Sequence, residues 1–222
     1  MDTVRNSALR LCYNSYMNKR YILIVYRIFF ALLGLSAVVT EIAIIVERGR
    51  FVPANFFSFF TIESNLLAIL VLIISALVLA RGKQGRLVAM LRGASTLNMI
   101  IVGVVFSLLL SGLEVELTAA PWDNIVLHYI LPVVVSLDWL MDTPKLRVAF
   151  RQTFVWMVFP VVYVVYSLIR GYFVGWYPYP FLDPNNHGYG GVAITSIILL
   201  LGTAGLAWLL AWSTRRKVST KK

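Results

Sequence analysis

Cysteine occurs once in the chain, as Cys12, and histidine twice. A single thiol excludes an intramolecular disulfide. Two imidazoles and one thiol fall short of the nitrogen and sulfur ligands that zinc sites use, so no metal and no other cofactor is expected. Charge is scarce too: Asp, Glu, Lys and Arg make up 14% of the residues, and acidic residues number 10 against 20 basic ones. The G-x-S-x-G nucleophile elbow, H-E-x-x-H and glycine-rich phosphate loops are all missing, which removes the signatures of the common soluble hydrolases, metalloproteases and nucleotide-binding proteins. The first twenty residues, MDTVRNSALRLCYNSYMNKR, hold no apolar stretch ahead of a small-residue cleavage site. They read as a weakly amphipathic basic segment on the membrane, not as a secretory signal peptide. No linker, low-complexity stretch or internal repeat divides the sequence.

What is abundant is apolar surface. The 222 residues are 59% hydrophobic with a mean hydropathy of +0.80, more than a soluble domain of this size can bury. Crossing ~30 Å of hydrocarbon takes about 20 residues at ~1.5 Å each. Such runs fall near 21–46, 56–80, 94–113, 124–141, 148–169 and 190–213. The expected fold is therefore all-α: a polytopic integral membrane protein of six transmembrane helices in one bundle, spanning 1–222 as a single domain.

Lys and Arg are divided unevenly between the two ends of these spans. One side holds Arg5, Arg10, Lys19, Arg20, Arg81, Lys83, Arg86, Arg92, Lys145, Arg147, Arg151, Arg215, Arg216, Lys217, Lys221 and Lys222; the other holds Arg48, Arg50 and Arg170, with Arg27 inside span 1. Basic residues stay in the cytoplasm when short loops insert, so both termini are expected there, in a cell (inner or plasma) membrane. The +10 net charge then reads as a topogenic signal and an attraction to anionic lipid, and nucleic acid is not an expected partner. The longest loop on the far side, RGYFVGWYPYPFLDPNNHGYGG, suits either an interfacial aromatic belt or a turn-rich lid over a site between helices. Asp183 in this loop is a candidate for site support or for a turn cap.

Polar residues within the spans gather at one level. With helices starting near 56 and 124, Thr61 and His128 lie about 6–8 Å below the far boundary. Glu41, Ser107, Ser111, Tyr166, Ser167, Thr195 and Ser196 are close to that depth. Polar groups in hydrocarbon normally face the bundle interior, so a shared level implies a shared cavity. The spacing of Ser58, Thr61 and Asn65 puts them on one helical face with Ser64 flanking it. Glu63 lies about 200° around from Thr61 and faces another neighbour. Each hydroxyl alone is satisfied by an interhelical hydrogen-bonding role. His128 is the one side chain suited to general-base work near neutral pH. A second polar group, Arg27, Asn98 and Asp138, lies toward the other end, and an Arg27–Asp138 ion pair is expected to neutralise both charges.

A hydroxyl and an imidazole on adjacent helices can act as nucleophile and base. Thr61 would attack an ester carbonyl, His128 would take its proton and return it to the leaving alcohol, and Asn65 would stabilise the oxyanion. Three blocks, FFTIESNLL in span 2, LHYILP in span 4 and YPYPFLD before span 6, resemble in that order the androgen-induced and androgen-dependent transmembrane proteins, and more closely their prokaryotic six-transmembrane relatives. The resemblance implies an intramembrane threonine hydrolase of lipid esters, acting in animals on fatty acid esters of hydroxy fatty acids, with the threonine at Thr61 and the histidine at His128. A membrane lipid or lipid ester is then the expected partner. Two other classes stay open on sequence alone: a proton- or cation-coupled transporter using Glu41, Glu63, His128 and Asp138, and a non-catalytic lipid-binding or scaffolding protein.

Overall fold

The computed structural model describes residues 2–82, 85–111 and 120–219, with side chains described from 17 to 214 within those ranges. Lys83, Lys221 and Lys222 of the topogenic set lie outside the described residues, as do the side chains of Arg5, Arg10, Cys12, Arg215, Arg216 and Lys217. Among the described residues six helices are long and apolar enough to cross a membrane: span 1 Met17–Glu47, span 2 Phe60–Ala80, span 3 Arg86–Leu110, span 4 Pro121–Met141, span 5 Phe150–Val174 and span 6 Pro184–Thr214. The protein is thus a polytopic all-α membrane bundle. An even number of spans puts both termini at one end, called the terminal end below; the other is the loop end. Large apolar side chains such as Phe29, Leu108, Phe173 and Leu201 project outward, as lipid-facing surfaces require.

Span 3 is the hub. It packs against spans 2, 4, 5 and 6, while span 1 packs against spans 2 and 4, and spans 5 and 6 pair with each other. Small residues let its neighbours come close, as in other membrane helix interfaces. A methyl group on Gly93 would lie 2.1 Å from the ring of Trp156 in span 5. The indole is itself wedged in a core of Leu97, Trp139, Ala207, Leu210 and Ala211 and has little room to retreat. Gly93→Ala is therefore expected to lower stability by about 1–3 kcal/mol, the usual cost of overpacking, read as a fall in the thermal unfolding midpoint in detergent.

Beyond small shifts at the span ends, three features of the helices differ from the sequence expectation. Span 3 begins eight residues earlier than its apolar run, at Arg86, so Arg92 is a buried residue of the helix and not a loop cation. Span 2 begins at Phe60, not 56: a short helix Pro53–Phe56 comes first, and the backbone then breaks through Phe57 to an extended Phe59. Span 4 is not a uniform α-helix, since Val126–Ile130 form a π-helical turn. Pro132 follows it, and a proline has no N–H to offer the carbonyl four residues back, which is that of His128. The sequence LHYILP thereby widens the helix at the histidine. A second π-helical turn, Phe106–Leu110, ends span 3, where Ser107 and Ser111 donate to the carbonyls of Gly103 and Ser107, a back-bonding that bends helices.

Candidate functional site

The two π-helical turns face each other near the loop end. The His128 ring stacks on Phe106 with centroids 3.9 Å apart and an interplanar angle of 23°. Its Nδ1 lies 3.2 Å from the Asn124 carbonyl oxygen. A carbonyl oxygen only accepts, so this contact is a hydrogen bond when Nδ1 carries the proton, which makes Nε2 the basic nitrogen. Turns of this kind inside α-helices are frequent at functional sites.

Thr61 is the second residue of span 2, and its N–H is one of the amides that a helix start leaves without an internal partner. No side chain caps this helix from Phe59. The partner comes from the loop before span 6: the Tyr179 hydroxyl accepts from Thr61 N–H at 3.2 Å and lies 3.3 Å from Thr61 Oγ1. Tyr179 is held by Phe181, stacked at 5.2 Å, and by Phe59, edge-on at 5.8 Å. Arg170 sits over Trp176 with its guanidinium 5.0 Å from the ring centroid and donates to Asn55 Oδ1 at 2.7 Å. The aromatic loop thus folds down over the loop end of spans 2 and 5. Burial pushes the Tyr179 phenol above its ordinary value, which keeps it protonated and able to donate one hydrogen bond.

Glu41, Thr61, His128 and Tyr179 line one cavity of about 160 Å³, with Ile45, Phe56, Phe59, Ile62, Leu110 and Leu127 as its apolar walls. On the other side of Thr61 and Tyr179 a narrower crevice of about 60 Å³ runs between spans 3, 5 and 6, lined by residues such as Val102, Phe106, Leu182, Leu199 and Thr203. Thr61 sits where the polar cavity meets this apolar crevice.

The remaining sequence candidates fall elsewhere. Ser58 precedes span 2 and does not share a helical face with Thr61. It donates to the Ala54 carbonyl at 2.6 Å, lies 2.8 Å from the Tyr166 hydroxyl, and its own carbonyl accepts from Tyr163 at 2.9 Å, so it ties the broken segment to span 5. Asn65 cannot serve as the oxyanion donor: both hydrogens of Nδ2 are committed, to Thr61 O at 2.8 Å and Leu127 O at 3.2 Å. It pins span 2 to span 4. Ser64 is fully buried, with no hydrogen-bond partner for its hydroxyl among the described residues. Glu63 is half-buried and lines neither chamber. Asp183 Oδ1 accepts from Asn185 N and Nδ2, both at 2.9 Å, the geometry of a turn cap. Thr61 lies in the first turn of its helix and His128 seven residues into span 4, so equal depth from the helix starts does not describe them; the widened turn and the descending loop bring them to one cavity.

Toward the terminal end the expected ion pair is present and larger than anticipated. Arg27 Nε donates to Asp138 Oδ1 at 2.7 Å, and Arg27 Nη2 to Asp142 Oδ2 at 2.7 Å. Arg92 Nη2 donates to Asp138 Oδ2 at 2.7 Å, and its Nη1 to Asp142 Oδ2 at 3.3 Å. Asn98, grouped with this cluster by depth, is buried without a hydrogen bond among the described residues.

Tyr179 is the residue that sequence reading left out. The signal available was its place in YPYPFLD, one of the three blocks that carry the family resemblance. Comparison with known protein families, with curated proteins and with solved structures returned no match.

Proposed function

We propose that the protein is an intramembrane hydrolase of lipid esters in which Thr61 is the nucleophile and His128 the general base. The observation that carries this reading is the cavity Thr61 shares with His128 and Tyr179, with the hydrogen bond from Nδ1 to Asn124 leaving Nε2 as the basic nitrogen. Thr61 Oγ1 attacks the ester carbonyl carbon as its proton passes to His128 Nε2. Charge builds on the carbonyl oxygen, where the Tyr179 hydroxyl and the positive end of span 2 stabilise it. Collapse breaks the bond to the alcohol oxygen, which takes the proton from Nε2 and leaves an acyl-threonine. A water molecule, deprotonated by Nε2, then releases the fatty acid and restores the threonine. The apolar crevice on one side of Thr61 suits an acyl chain, and the polar cavity on the other suits the alcohol part.

The three matching sequence blocks support placing the chain with the six-transmembrane relatives of the androgen-induced proteins, and esters of hydroxy fatty acids are the substrates that resemblance suggests. The excess of Lys and Arg at the terminal end supports a cytoplasmic location for both termini in the cell membrane. Transport is the weaker reading, because of its four candidate carriers only Glu41 and His128 line the cavity, while Asp138 is neutralised by Arg27 and Arg92 and Glu63 lines neither chamber.

Purified protein in vesicles is expected to release fatty acid from a lipid ester, and Thr61→Val, which keeps the side-chain shape, to abolish release in a correctly folded protein. Undiminished release by that variant overturns the proposal. Tyr179→Phe keeps the ring packing and removes the hydroxyl; kcat should fall about a hundredfold, the scale on which one oxyanion donor acts, with KM changed little. Glu63→Gln should leave release unchanged, and a loss of proton flux in that variant would favour transport instead.

A further inference from the structure

At the terminal end, far from Thr61, a cavity of about 330 Å³ opens between spans 1, 2 and 3 and the segment that follows span 4. Its polar walls are Arg27, Ser75, Arg92, Asp142 and Lys145, and Val78, Leu79 and Val88 give it an apolar side. The donors exceed the acceptors that occupy them. Arg27 Nη1 makes a single long contact, 3.4 Å to the Ser75 carbonyl, although a terminal guanidinium nitrogen carries two hydrogens. The Ser75 hydroxyl is buried and has no hydrogen-bond partner among the described residues. Lys145 stands exposed at the rim. Arg27 and Arg92 share two carboxylates, Asp138 and Asp142, and Lys145 on the same cavity wall adds one positive charge to that balanced set.

Unused N–H and O–H donors beside that added positive charge define a site for a monoanion rich in acceptor oxygens. Phosphate groups fit this chemistry, because guanidinium and hydroxyl donors match their oxygens. Ser75 is five residues from the end of span 2 and Arg92 six from the start of span 3, so the donors lie about 8–9 Å inside the bundle end, reachable from the headgroup layer or from water. We propose that this cavity binds one phosphate-bearing ligand, a phosphodiester or a phosphomonoester, gripped by Arg27 Nη1, Ser75 Oγ and Lys145 with its apolar part against Val78, Leu79 and Val88. The site is separate from the Thr61 cavity and does not depend on the hydrolase reading.

The test uses the full-length protein in detergent and native mass spectrometry with three probes: dioleoylphosphatidylglycerol, dioleoylglycerol, which has the same tails without phosphate, and glycerol 3-phosphate. The wild type should retain one equivalent of the phosphatidylglycerol and none of the dioleoylglycerol. Retention should weaken at least tenfold in Ser75→Leu, which fills the cavity while keeping the carbonyl Arg27 uses, and in Lys145→Gln, an exposed substitution that leaves the fold intact and decides the matter if the buried variant does not fold. Equal or tighter retention of glycerol 3-phosphate, lost in the same variants, supports the site and identifies a soluble ligand. Phosphatidylglycerol retention that is the same in the wild type and Lys145→Gln, with no retention of glycerol 3-phosphate, overturns the proposal.

Discussion

Asp138→Ala is expected to cost the bundle about 3–5 kcal/mol, the penalty for removing one partner of a buried ionic network, a large share of the about 5–15 kcal/mol that holds an ordinary protein folded. Asp138 receives Arg27 Nε on one carboxylate oxygen and Arg92 Nε and Nη2 on the other. Its loss leaves two guanidinium groups, both almost fully buried, with only Asp142 between them. Water entering from the terminal-end cavity that both arginines line would hydrate them only in part, and an unpaired buried charge is costly. The network also joins spans 1, 3 and 4, so its failure separates three helices. Asp142→Ala should cost less, because that carboxylate is 18% exposed and its site opens onto the polar cavity at the terminal end. Thermal unfolding in detergent, followed by loss of monodisperse elution, measures both. A smaller loss in Asp138→Ala than in Asp142→Ala would contradict the central place given to Asp138.

Replacing His128 with alanine should slow single-turnover ester cleavage by about 10²–10⁴-fold, the range that a positioned general base supplies. The residue stacks on Phe106, so a loss of packing alone would also lower stability, and the two effects must be told apart. The void left beside a cavity of about 160 Å³ admits free imidazole. If His128 acts as a base, added imidazole should restore part of the rate in His128→Ala and none in Thr61→Val. A purely structural role predicts no rescue in either. Thr61 needs this help because its hydroxyl is almost fully protonated at neutral pH.

The membrane bundle was legible in the sequence because the hydrocarbon thickness demands long apolar runs, and these are hard to mistake. The Arg27–Asp138 pair was legible for the same reason in reverse, since opposite charges within spans at similar depth must neutralise each other. Arg92 was read as a loop cation and Asp142 was not singled out, because both lie outside the expected apolar runs, where a charge reads as solvated. Ser58 was misassigned because no glycine or proline marks the break between Phe56 and Phe60; FFSFF is as apolar as the helix it precedes, and the contacts from Tyr163 and Tyr166 that tie it to span 5 come from more than a hundred residues away. Asn65 was placed on the correct face, but its two donor hydrogens are consumed by carbonyls, one of them on another helix. Tyr179 was hidden most deeply: an aromatic residue in an outer loop resembles an interfacial anchor, and its bond to a residue 118 positions earlier leaves no local pattern. The widened turn at His128 was available in the sequence through Pro132, four residues on.

The claim that Thr61 is the nucleophile meets its most direct test in the mass of the peptide that contains it. After brief reaction with a lipid ester and acid quenching, the account predicts a single acyl adduct, on Thr61, that accumulates in the wild type, is absent from Thr61→Val and forms far more slowly in His128→Ala. An adduct on another residue, or fatty acid release that persists in Thr61→Val with no adduct on any residue, would contradict it.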